Sequence, residues 1–330
     1  MLKMLMFDIK ESEKAFVQNY DTRDFEITFF KESLNKTTKL TLKECDETVI
    51  LSVFLTSEVT KEVLDKFKNL RIVVTRSICY NHIDLDECRN RNIAVINATD
   101  YGKKSVSQYV LGLIFALTRN IFLSANNVRC GVNNYEKYLS DNIETFSLGV
   151  VGTGSIGAEV CKLAHSLGMK IYANDISVNQ EVAEFVQYVS FTDLLRKSDI
   201  ITLHIPYTKE LKHMFSYKEF EIMKENSYLI NTSQGDFINY ADLYQALLKK
   251  KLKGVALDII PEDQKKIFGE KINYDELEKA VIYQKLTETD NVIITPRIAY
   301  DTKEALNKII KSNFNDIKDY YKGRKTNRVV

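Results

Sequence analysis

The chain has 330 residues, of which 45% are hydrophobic and 28% charged, a composition typical of soluble globular proteins. Its 46 Lys and Arg residues nearly balance 45 Asp and Glu residues, which argues against nucleic acid or an anionic membrane as a partner. The five cysteines include no C-x-x-C pair and no zinc spacing, so we expect reduced thiols in a cytoplasm and no metal site.

The first hundred residues contain short apolar runs separated by amphipathic segments. Continuous rather than alternating apolar strands indicate a parallel sheet that is buried on both faces. We predict a smaller, flavodoxin-like α/β domain over residues 1–100, completed by residues 299–330 with a last helix at 302–321. We expect the basic residues 322–328 to form a solvated C-terminus. The predicted strands are 2–7, 25–30, 49–55, 70–74 and 93–96.

A long helical stretch at 105–129 precedes a second series of strands. Its most apolar part, 109–117, is far too short to span a bilayer. Strands followed by helices predict a Rossmann-type doubly wound sheet over residues 101–298. The predicted strands of this domain are 148–151, 170–173, 200–203, 228–230, 255–257 and 292–294.

The segment from 148 to 175 carries the pattern of a dinucleotide site. Gly152 permits a tight turn, Gly154 allows the backbone to approach a pyrophosphate, and Gly157 allows close packing of helix and strand. Ser155 and Ile156 open the helix, whose free amides favour phosphate. The pattern predicts that the loop binds a dinucleotide.

Asp175 ends the following strand, about 20 residues beyond the glycines. A carboxylate at this point accepts hydrogen bonds from the ribose hydroxyls and would repel a 2′-phosphate. We therefore expect NAD as the cofactor, in preference to NADP.

The chain resembles the D-isomer-specific 2-hydroxyacid dehydrogenases, particularly the D-lactate dehydrogenases, over nearly its whole length. The motifs that carry the resemblance are Thr75-Arg76-Ser77, His82-Ile83-Asp84-Leu85, the glycine motif at 150–157, Leu203-His204-Ile205-Pro206, Ile230-Asn231-Thr232-Ser233, Ala256-Leu257-Asp258 and Ile294-Thr295-Pro296. The resemblance implies an NAD-dependent oxidoreductase acting on a small 2-oxo or 2-hydroxy acid. It also implies that the strand-end residues His204, Pro206, Thr232, Ser233 and Asp258 contact the cofactor, although a structural role is favoured for the His204 side chain.

The three catalytic positions of the family are substituted in this chain. The resemblance implies an arginine that holds the substrate, a glutamate that sets a pKa and a histidine that exchanges the proton. Gln234, Asp263 and Arg297 occupy those positions. A guanidinium does not deprotonate in proteins, so Arg297 cannot act as a base. Arg297 could instead hold the substrate carboxylate, with the proton exchanged by Tyr101, Tyr300, Lys103 or a water near Asp263.

The implied substrate-binding residues Ile78, Cys79 and Tyr101 lie in segments that also depart from the family pattern. Cys79 replaces a glycine, and Gly102-Lys103 replaces the usual Ser-Pro after the tyrosine. Cys79 is best interpreted as a small apolar substitute, because nothing nearby in the sequence lowers its thiol pKa.

Three functions remain open. The leading hypothesis is hydride transfer between NAD(H) and a 2-oxo or 2-hydroxy acid in an altered active site. The alternative is a catalytically inert NAD-binding sensor or scaffold, and a different reaction with bound NAD is a third option. The resemblance also implies a homodimer, for which Val110, Leu113, Ile114 and Leu117 would offer an apolar face unless they form an intrachain core.

Overall fold

A computed structural model describes residues 1–132, 135–258 and 274–330. The described strands are β1 (Leu2–Met6), β2 (Phe25–Phe29), β3 (Ile50–Val53), β4 (Ile72–Thr75), β5 (Ala94–Asn97), β6 (Ser147–Val151), β7 (Lys170–Asn174), β8 (Val186–Tyr188), β9 (Ile200–Leu203), β10 (Ser227–Asn231), β11 (Leu252–Leu257) and β12 (Val292–Ile294). The described helices are α1 (Glu11–Gln18), α2 (Leu42–Glu47), α3 (Lys61–Leu64), α4 (Leu85–Asn90), α5 (Lys103–Thr118), α6 (Ile121–Arg129), α7 (Ser155–Ser166), α8 (Phe191–Lys197), α9 (Tyr217–Ile222), α10 (Tyr240–Leu248), α11 (Tyr274–Thr287) and α12 (Lys303–Tyr321).

The chain divides into two compact units, each built on one parallel sheet. Unit 1 comprises Met1–Tyr101 with Asp301–Val330, and unit 2 comprises Gly102–Tyr300. The sheet of unit 1 has the order β2-β1-β3-β4-β5, which is the flavodoxin order. The sheet of unit 2 has the order β12-β11-β10-β9-β6-β7-β8, which is a Rossmann order with one further strand. The predicted fold class is therefore confirmed.

Both faces of the unit 1 sheet are covered, which explains its continuous apolar strands. Neighbouring residues of one strand enter opposite core clusters: Ile50 packs on the side of α12, and Leu51 packs on the other side. The last helix buries Ile310 and Phe314 against this sheet. Its Asn313 amide also donates to the backbone oxygen of Thr75 at 3.3 Å.

The C-terminus is only partly solvated, contrary to the sequence-based expectation. Residues 322–325 are exposed, whereas the final residues pair with β5 at the edge of the sheet. The Val329 amide donates to the Val95 carbonyl at 2.7 Å, and the Val95 amide donates to the Val330 carbonyl at 3.2 Å. This pairing covers backbone groups that an edge strand would otherwise expose.

The long helix predicted at 105–129 is broken in two. Asn120 lies between α5 and α6 and adopts a left-handed φ of 52°. The two helices are bent by 60° at this break. No single described helix is long and apolar enough to cross a membrane, and α5 with α6 reaches that length and composition only as a bent pair.

The apolar face of α5 serves the core of unit 2 rather than a dimer interface. Val110, Leu113, Ile114 and Leu117 are all buried within one core cluster of this unit. Of the two uses that the sequence leaves open for this face, the structure shows the intrachain core, because packing against the neighbouring sheet and α7 covers these residues. The sequence pattern alone could not separate these two uses of one face.

A buried ion pair lies at the carboxyl end of the unit 1 sheet. The Arg76 guanidinium lies 3.3 Å from Glu13, and the two side chains are 1% and 6% exposed. Arg76 also donates to the Ser52 hydroxyl at 3.0 Å and to the backbone oxygens of Phe7 and Asp8 at 2.8 and 3.1 Å. The guanidinium is thus bonded to several elements of the unit.

We expect Arg76→Ala to lower the free energy of unfolding by about 3–5 kcal/mol, because it leaves the Glu13 carboxylate buried without its partner. Urea denaturation measures the loss. Arg89→Ala is the matched control, since its ion pair with Asp86 is exposed and should contribute less than about 1 kcal/mol. Equal losses in the two variants would contradict a structural role for the buried pair.

Candidate active site

Six strands of unit 2 end at the same level of the sheet. Parallel pairing puts the last residues of these strands side by side. These last residues are, in sheet order, Ile294, Leu257, Asn231, Leu203, Val151 and Asn174. The residues that follow them are Thr295, Asp258, Thr232, His204, Gly152 and Asp175. Five of these six are predicted cofactor residues, and the sheet therefore brings them to one edge.

Hydrogen bonds connect the strand ends along this edge. The Ser233 hydroxyl donates to the Leu203 carbonyl at 2.7 Å. The Asp258 amide donates to the Asn231 carbonyl at 2.9 Å, and the Gly152 amide donates to Asn174 at 2.8 Å. The edge lies where the winding of the chain reverses between β6 and β9, which is where open α/β sheets bind ligands.

The three glycines of the loop after β6 have different spatial requirements. Gly152 has a left-handed φ of 91°, and a Cβ atom there would lie 2.7 Å from the His204 carbonyl oxygen. A Cβ atom on Gly157 would lie 1.9 Å from the carbonyl oxygen of Gly152. A Cβ atom on Gly154 would meet no protein atom within 4 Å. Gly154 therefore keeps open space beside the backbone, as an approaching pyrophosphate requires.

Helix α7 begins at Ser155 directly behind this open space. Its first turn, which includes Ile156, contains no acidic side chain. The unpaired amides and the positive end of the helix dipole are thus available to a phosphate group.

Asp175 accepts hydrogen bonds from the glycine loop itself. Its Oδ2 atom accepts the Thr153 amide at 2.6 Å and the Thr153 hydroxyl at 3.0 Å, and Oδ1 accepts the Ser177 amide at 3.2 Å. Burial raises the pKa of Asp175, but these hydrogen bonds to the charged form outweigh it and hold the pKa below its ordinary value. The residue is therefore a carboxylate at neutral pH.

Thr232 supplies a further sign that this edge is built for a ligand. Its hydroxyl oxygen is buried and has no hydrogen-bond partner among the described residues. An unpaired buried hydroxyl costs free energy unless a ligand or water satisfies it. Together with the open space at Gly154 and the carboxylate of Asp175, this hydroxyl fits an NAD molecule at the edge.

His204 is a neutral imidazole at physiological pH. Burial lowers its pKa to about 3, and its Nε2 atom lies 2.9 Å from the Thr202 hydroxyl. Its backbone carbonyl borders Gly152. Pro206 follows two residues later in the same strand-end loop. His204 thus contributes to the shape of the site and cannot supply a proton near pH 7.

The turn that carries Arg297 is fixed by Asp258. One carboxylate oxygen accepts the Thr295 hydroxyl at 2.5 Å and the Ile298 amide at 3.0 Å, and the other accepts the Ala299 amide at 2.7 Å. Arg297 lies inside this turn with a left-handed φ of 59°. Burial is the main influence on Asp258 and raises its pKa. The positive charge of Arg297 acts in the opposite direction and favours the carboxylate form.

The other sequence-predicted site residues fall in three places. Gln234 follows Ser233 at the end of β10, and its backbone oxygen accepts the Asn231 amide group at 2.9 Å. Asp263 lies outside the described residues. The predicted substrate-binding residues Ile78, Cys79 and Tyr101 belong to unit 1.

The loop of Ile78 and Cys79 is held by its own unit. The Asn97 amide group donates to the Ile78 carbonyl at 2.9 Å, and the Ser77 hydroxyl donates to the Cys79 carbonyl. Both Ile78 and Cys79 are exposed, so their side chains are accessible.

Sequence reasoning missed three residues that contact the site. Tyr188 and Asn179 both hydrogen-bond to Thr153. Tyr109 bonds to Thr295 in the Arg297 turn. The position of Thr153 between two glycines of the loop is a sequence signal that could have pointed to partners such as Tyr188 and Asn179. The sequence-based prediction did not include β8, the strand that carries Tyr188. No three His, Cys, Asp or Glu side chains are grouped as a metal site in the part of the chain that the structure describes.

A family model independently matches most of unit 2. Residues 111–299 match the D-isomer specific 2-hydroxyacid dehydrogenase, NAD binding domain. The chain belongs to this family. The family resemblance inferred from the motifs and the expected NAD cofactor are thereby confirmed.

Several known proteins are similar to this chain over most of its length. A 2-hydroxyacid dehydrogenase homolog from Haemophilus influenzae is 28% identical over 100% of the chain and 99% of its own length. An aromatic 2-oxoacid reductase from Clostridium sporogenes is 30% identical over 82% of each chain. The structure of a D-lactate dehydrogenase from Aquifex aeolicus, complexed with NAD and lactic acid, has a TM-score of 0.83 and 30% identity over 97% of the chain and 96% of its own.

Glycine substitutions should separate cofactor binding from folding at this site. We expect Gly154→Ala to raise the dissociation constant of NADH about tenfold or more while changing the unfolding free energy by less than about 0.5 kcal/mol. Gly157→Ala should cost about 1–3 kcal/mol of stability, because its Cβ would overlap a backbone oxygen. NADH fluorescence titration and urea denaturation measure the two effects.

Gly112→Ala in α5 is the control, since a Cβ there meets no atom within 4 Å and alanine favours a helix. Its NADH affinity should equal that of the unmodified protein. Unchanged NADH affinity in Gly154→Ala would show that the pyrophosphate does not approach this loop.

Proposed function

We propose that the protein transfers hydride between NAD(H) and a small 2-oxo or 2-hydroxy acid, in an active site whose substrate side differs from the family pattern. The observation that carries the proposal is the intact cofactor edge of unit 2, joined at its end to a turn that carries Arg297. We also propose residues 101–298 as the NAD-binding domain and residues 1–100 with 299–330 as the substrate domain.

The proposed cofactor contacts lie directly after the ends of the paired strands of unit 2 or in the first turn of α7. They are Gly152, Gly154, Ser155, Ile156, Gly157, Asp175, His204, Pro206, Thr232, Ser233 and Asp258. Bound NAD supplies a nicotinamide ring that accepts or releases the hydride. The loop and the helix end would hold the phosphates, and the Asp175 carboxylate would accept the ribose hydroxyls.

Arg297 is proposed to hold the substrate carboxylate. It is a permanent cation and a strong donor to carboxylates, but it cannot act as a base. Two features support this role: the strand-end position of Arg297 and the hydrogen bonds of Asp258 that fix its turn. Gln234, at the position of the family arginine, can still donate a neutral hydrogen bond. Ile78, Cys79 and Tyr101 are proposed as further substrate contacts.

The proton must come from a group other than His204, whose pKa of about 3 keeps it neutral. Tyr101, Tyr300, Lys103 and a water near Asp263 are the proposed candidates. The Lys103 ammonium lies 3.6 Å from the Glu159 carboxylate on α7.

Arg297 favours one second candidate function. Because a guanidinium that cannot act as a base stands at the proposed position of the family histidine, the protein would then bind NAD without turnover and act as a sensor or scaffold. The two functions differ in whether any 2-oxoacid is reduced, and turnover therefore separates them.

We also propose a homodimer in the cytoplasm. The five cysteines form no disulfide in the part of the chain that the structure describes, which supports a reducing compartment. An exposed apolar surface on α6 supports self-association, whereas the apolar face of α5 is buried in the core of unit 2. Ile121 and Val128 lie seven residues apart on one side of this helix, and Phe122 is also exposed.

Stopped-flow oxidation of NADH against a panel of 2-oxoacids tests the proposed reaction. With pyruvate we expect turnover at least about 10³-fold slower than in a family member with the unsubstituted triad, since a general acid–base and a charged clamp are both replaced. Reduction of another 2-oxoacid of the panel faster than pyruvate would identify a changed substrate. Tight NADH binding without reduction of any acid would favour the inert alternative.

Reversion of the substituted positions tests the roles of Gln234 and Arg297. Gln234→Arg combined with Arg297→His should restore measurable pyruvate reduction, and Asp263→Glu should raise it further. Each single reversion should do little, because clamp and proton donor act as a unit. Ordinary pyruvate rates in the unmodified protein would contradict the assigned roles.

The proposed dimer is tested by light scattering at micromolar concentration. Phe122→Asp combined with Val128→Asp should convert a dimer into a monomer, because the charges would be buried at the interface. Leu42→Asp is the control, since Leu42 is an equally apolar residue that is 83% exposed on unit 1. A monomeric unmodified protein would overturn the dimer.

A further inference from the structure

Thr153, the residue between the first two glycines of the loop, is bonded at all three of its polar groups. Its amide and hydroxyl donate to Asp175 Oδ2 at 2.6 and 3.0 Å. Its carbonyl accepts the Asn179 side-chain amide at 2.7 Å. Its hydroxyl also accepts the Tyr188 hydroxyl at 3.0 Å. Thr153 is 2% exposed, so water does not compete for these bonds.

The donors and acceptors of this network have one consistent direction. The Asn179 backbone amide donates to the Tyr188 oxygen at 3.0 Å, and Tyr188 uses its single proton on the Thr153 hydroxyl. Thr153 must then direct its own hydroxyl proton to Asp175. The chain of bonds ends on the charged oxygen, where hydrogen bonds are strongest.

The network bonds the two oxygens of Asp175 unequally. Oδ2 accepts both donors of Thr153 at 2.6 and 3.0 Å, whereas Oδ1 accepts the Ser177 amide at a longer 3.2 Å. The Ile176 amide is a further donor to this carboxylate. Oδ1 is thus the less strongly bonded oxygen in these contacts and the one that a cofactor hydroxyl would meet.

We propose that Tyr188 and Asn179 are positioning residues that set the preference for NAD over NADP by holding Thr153 and, through it, the carboxylate of Asp175. Neither residue need touch the cofactor for this role. The inference rests on the proposed contact between Asp175 and the ribose, but it does not depend on the substrate or on turnover.

Tyr188→Phe is the primary test, because it removes one hydroxyl and retains the ring. We expect the dissociation constant of NADH to rise about three- to tenfold and that of NADPH to change less than about twofold. The dissociation constant of NADPH divided by that of NADH, which measures the preference for NADH, should therefore fall. Tyr217→Phe, at an exposed tyrosine of α9, should leave both constants unchanged. Fluorescence titration of both cofactors gives the constants.

Two replacements of Thr153 supply the matched comparison. Thr153→Ser keeps the hydroxyl and should retain the preference for NADH. Thr153→Val keeps the shape of the side chain without the hydroxyl, and it should lower the preference for NADH as much as Tyr188→Phe does. Hydrogen exchange of residues 152–155 in the absence of cofactor is a second readout. It should become faster in Tyr188→Phe and Thr153→Val and remain unchanged in Thr153→Ser.

Equal weakening of NADH and NADPH in Tyr188→Phe would overturn the proposal, because the network would then support only the phosphate loop. Unchanged affinities in that variant would overturn it as well. Asp175→Ala tests the underlying contact separately: it should abolish the preference. If Asp175→Ala leaves the preference for NADH intact, the proposed contact between Asp175 and the ribose is wrong. If Asp175→Ala abolishes the preference but Tyr188→Phe does not lower it, the ribose contact stands and the role of Tyr188 is rejected.

Discussion

The candidate active site depends on one constraint, which is that six parallel strands pair in a register that ends them all at the same height in the sheet. Val151 pairs with Asn174 on one side and with Leu203 on the other, and the same register continues to Ile294. Because these six strands end at the same level, the next residue of each lies at the same edge of the sheet. A shift of one residue in any pairing would turn that strand's side chains to the opposite face of the sheet. The cofactor edge is therefore a property of the whole sheet.

Two carboxylates at this edge have different environments and different tasks. Asp175 is held charged by hydrogen bonds from the glycine loop and Ser177, which keep its pKa low. Asp258 is more deeply buried and its pKa is raised, yet three hydrogen bonds tie it to the turn after β12. The first carboxylate is the proposed acceptor for the cofactor ribose, and the second organises protein backbone. Burial and bonding, not residue type, distinguish them.

Gln234 and Arg297 set the charge on the other side of this edge. Gln234 is a neutral amide after β10, and Arg297 is a permanent cation in the turn after β12. Under the proposed assignment of these two positions, the positive charge is moved rather than removed, which suits an anionic substrate held differently from the family pattern. The same edge carries the glycine loop, Asp175 and the Thr232 hydroxyl, which has no hydrogen-bond partner among the described residues.

The sequence by itself determined the two parallel sheets, the glycine loop and Asp175, because strand periodicity, glycine spacing and a carboxylate at a strand end are local properties. It also predicted that Gln234 and Arg297 stand at two catalytic positions of the family. Tertiary structure alone decided that the apolar face of α5 packs inside unit 2, and that Asn120 breaks the long helix. It also decided that Tyr188 reaches Thr153, 35 residues earlier in the chain. Such contacts depend on which elements become neighbours, and spacing along one chain does not encode that information.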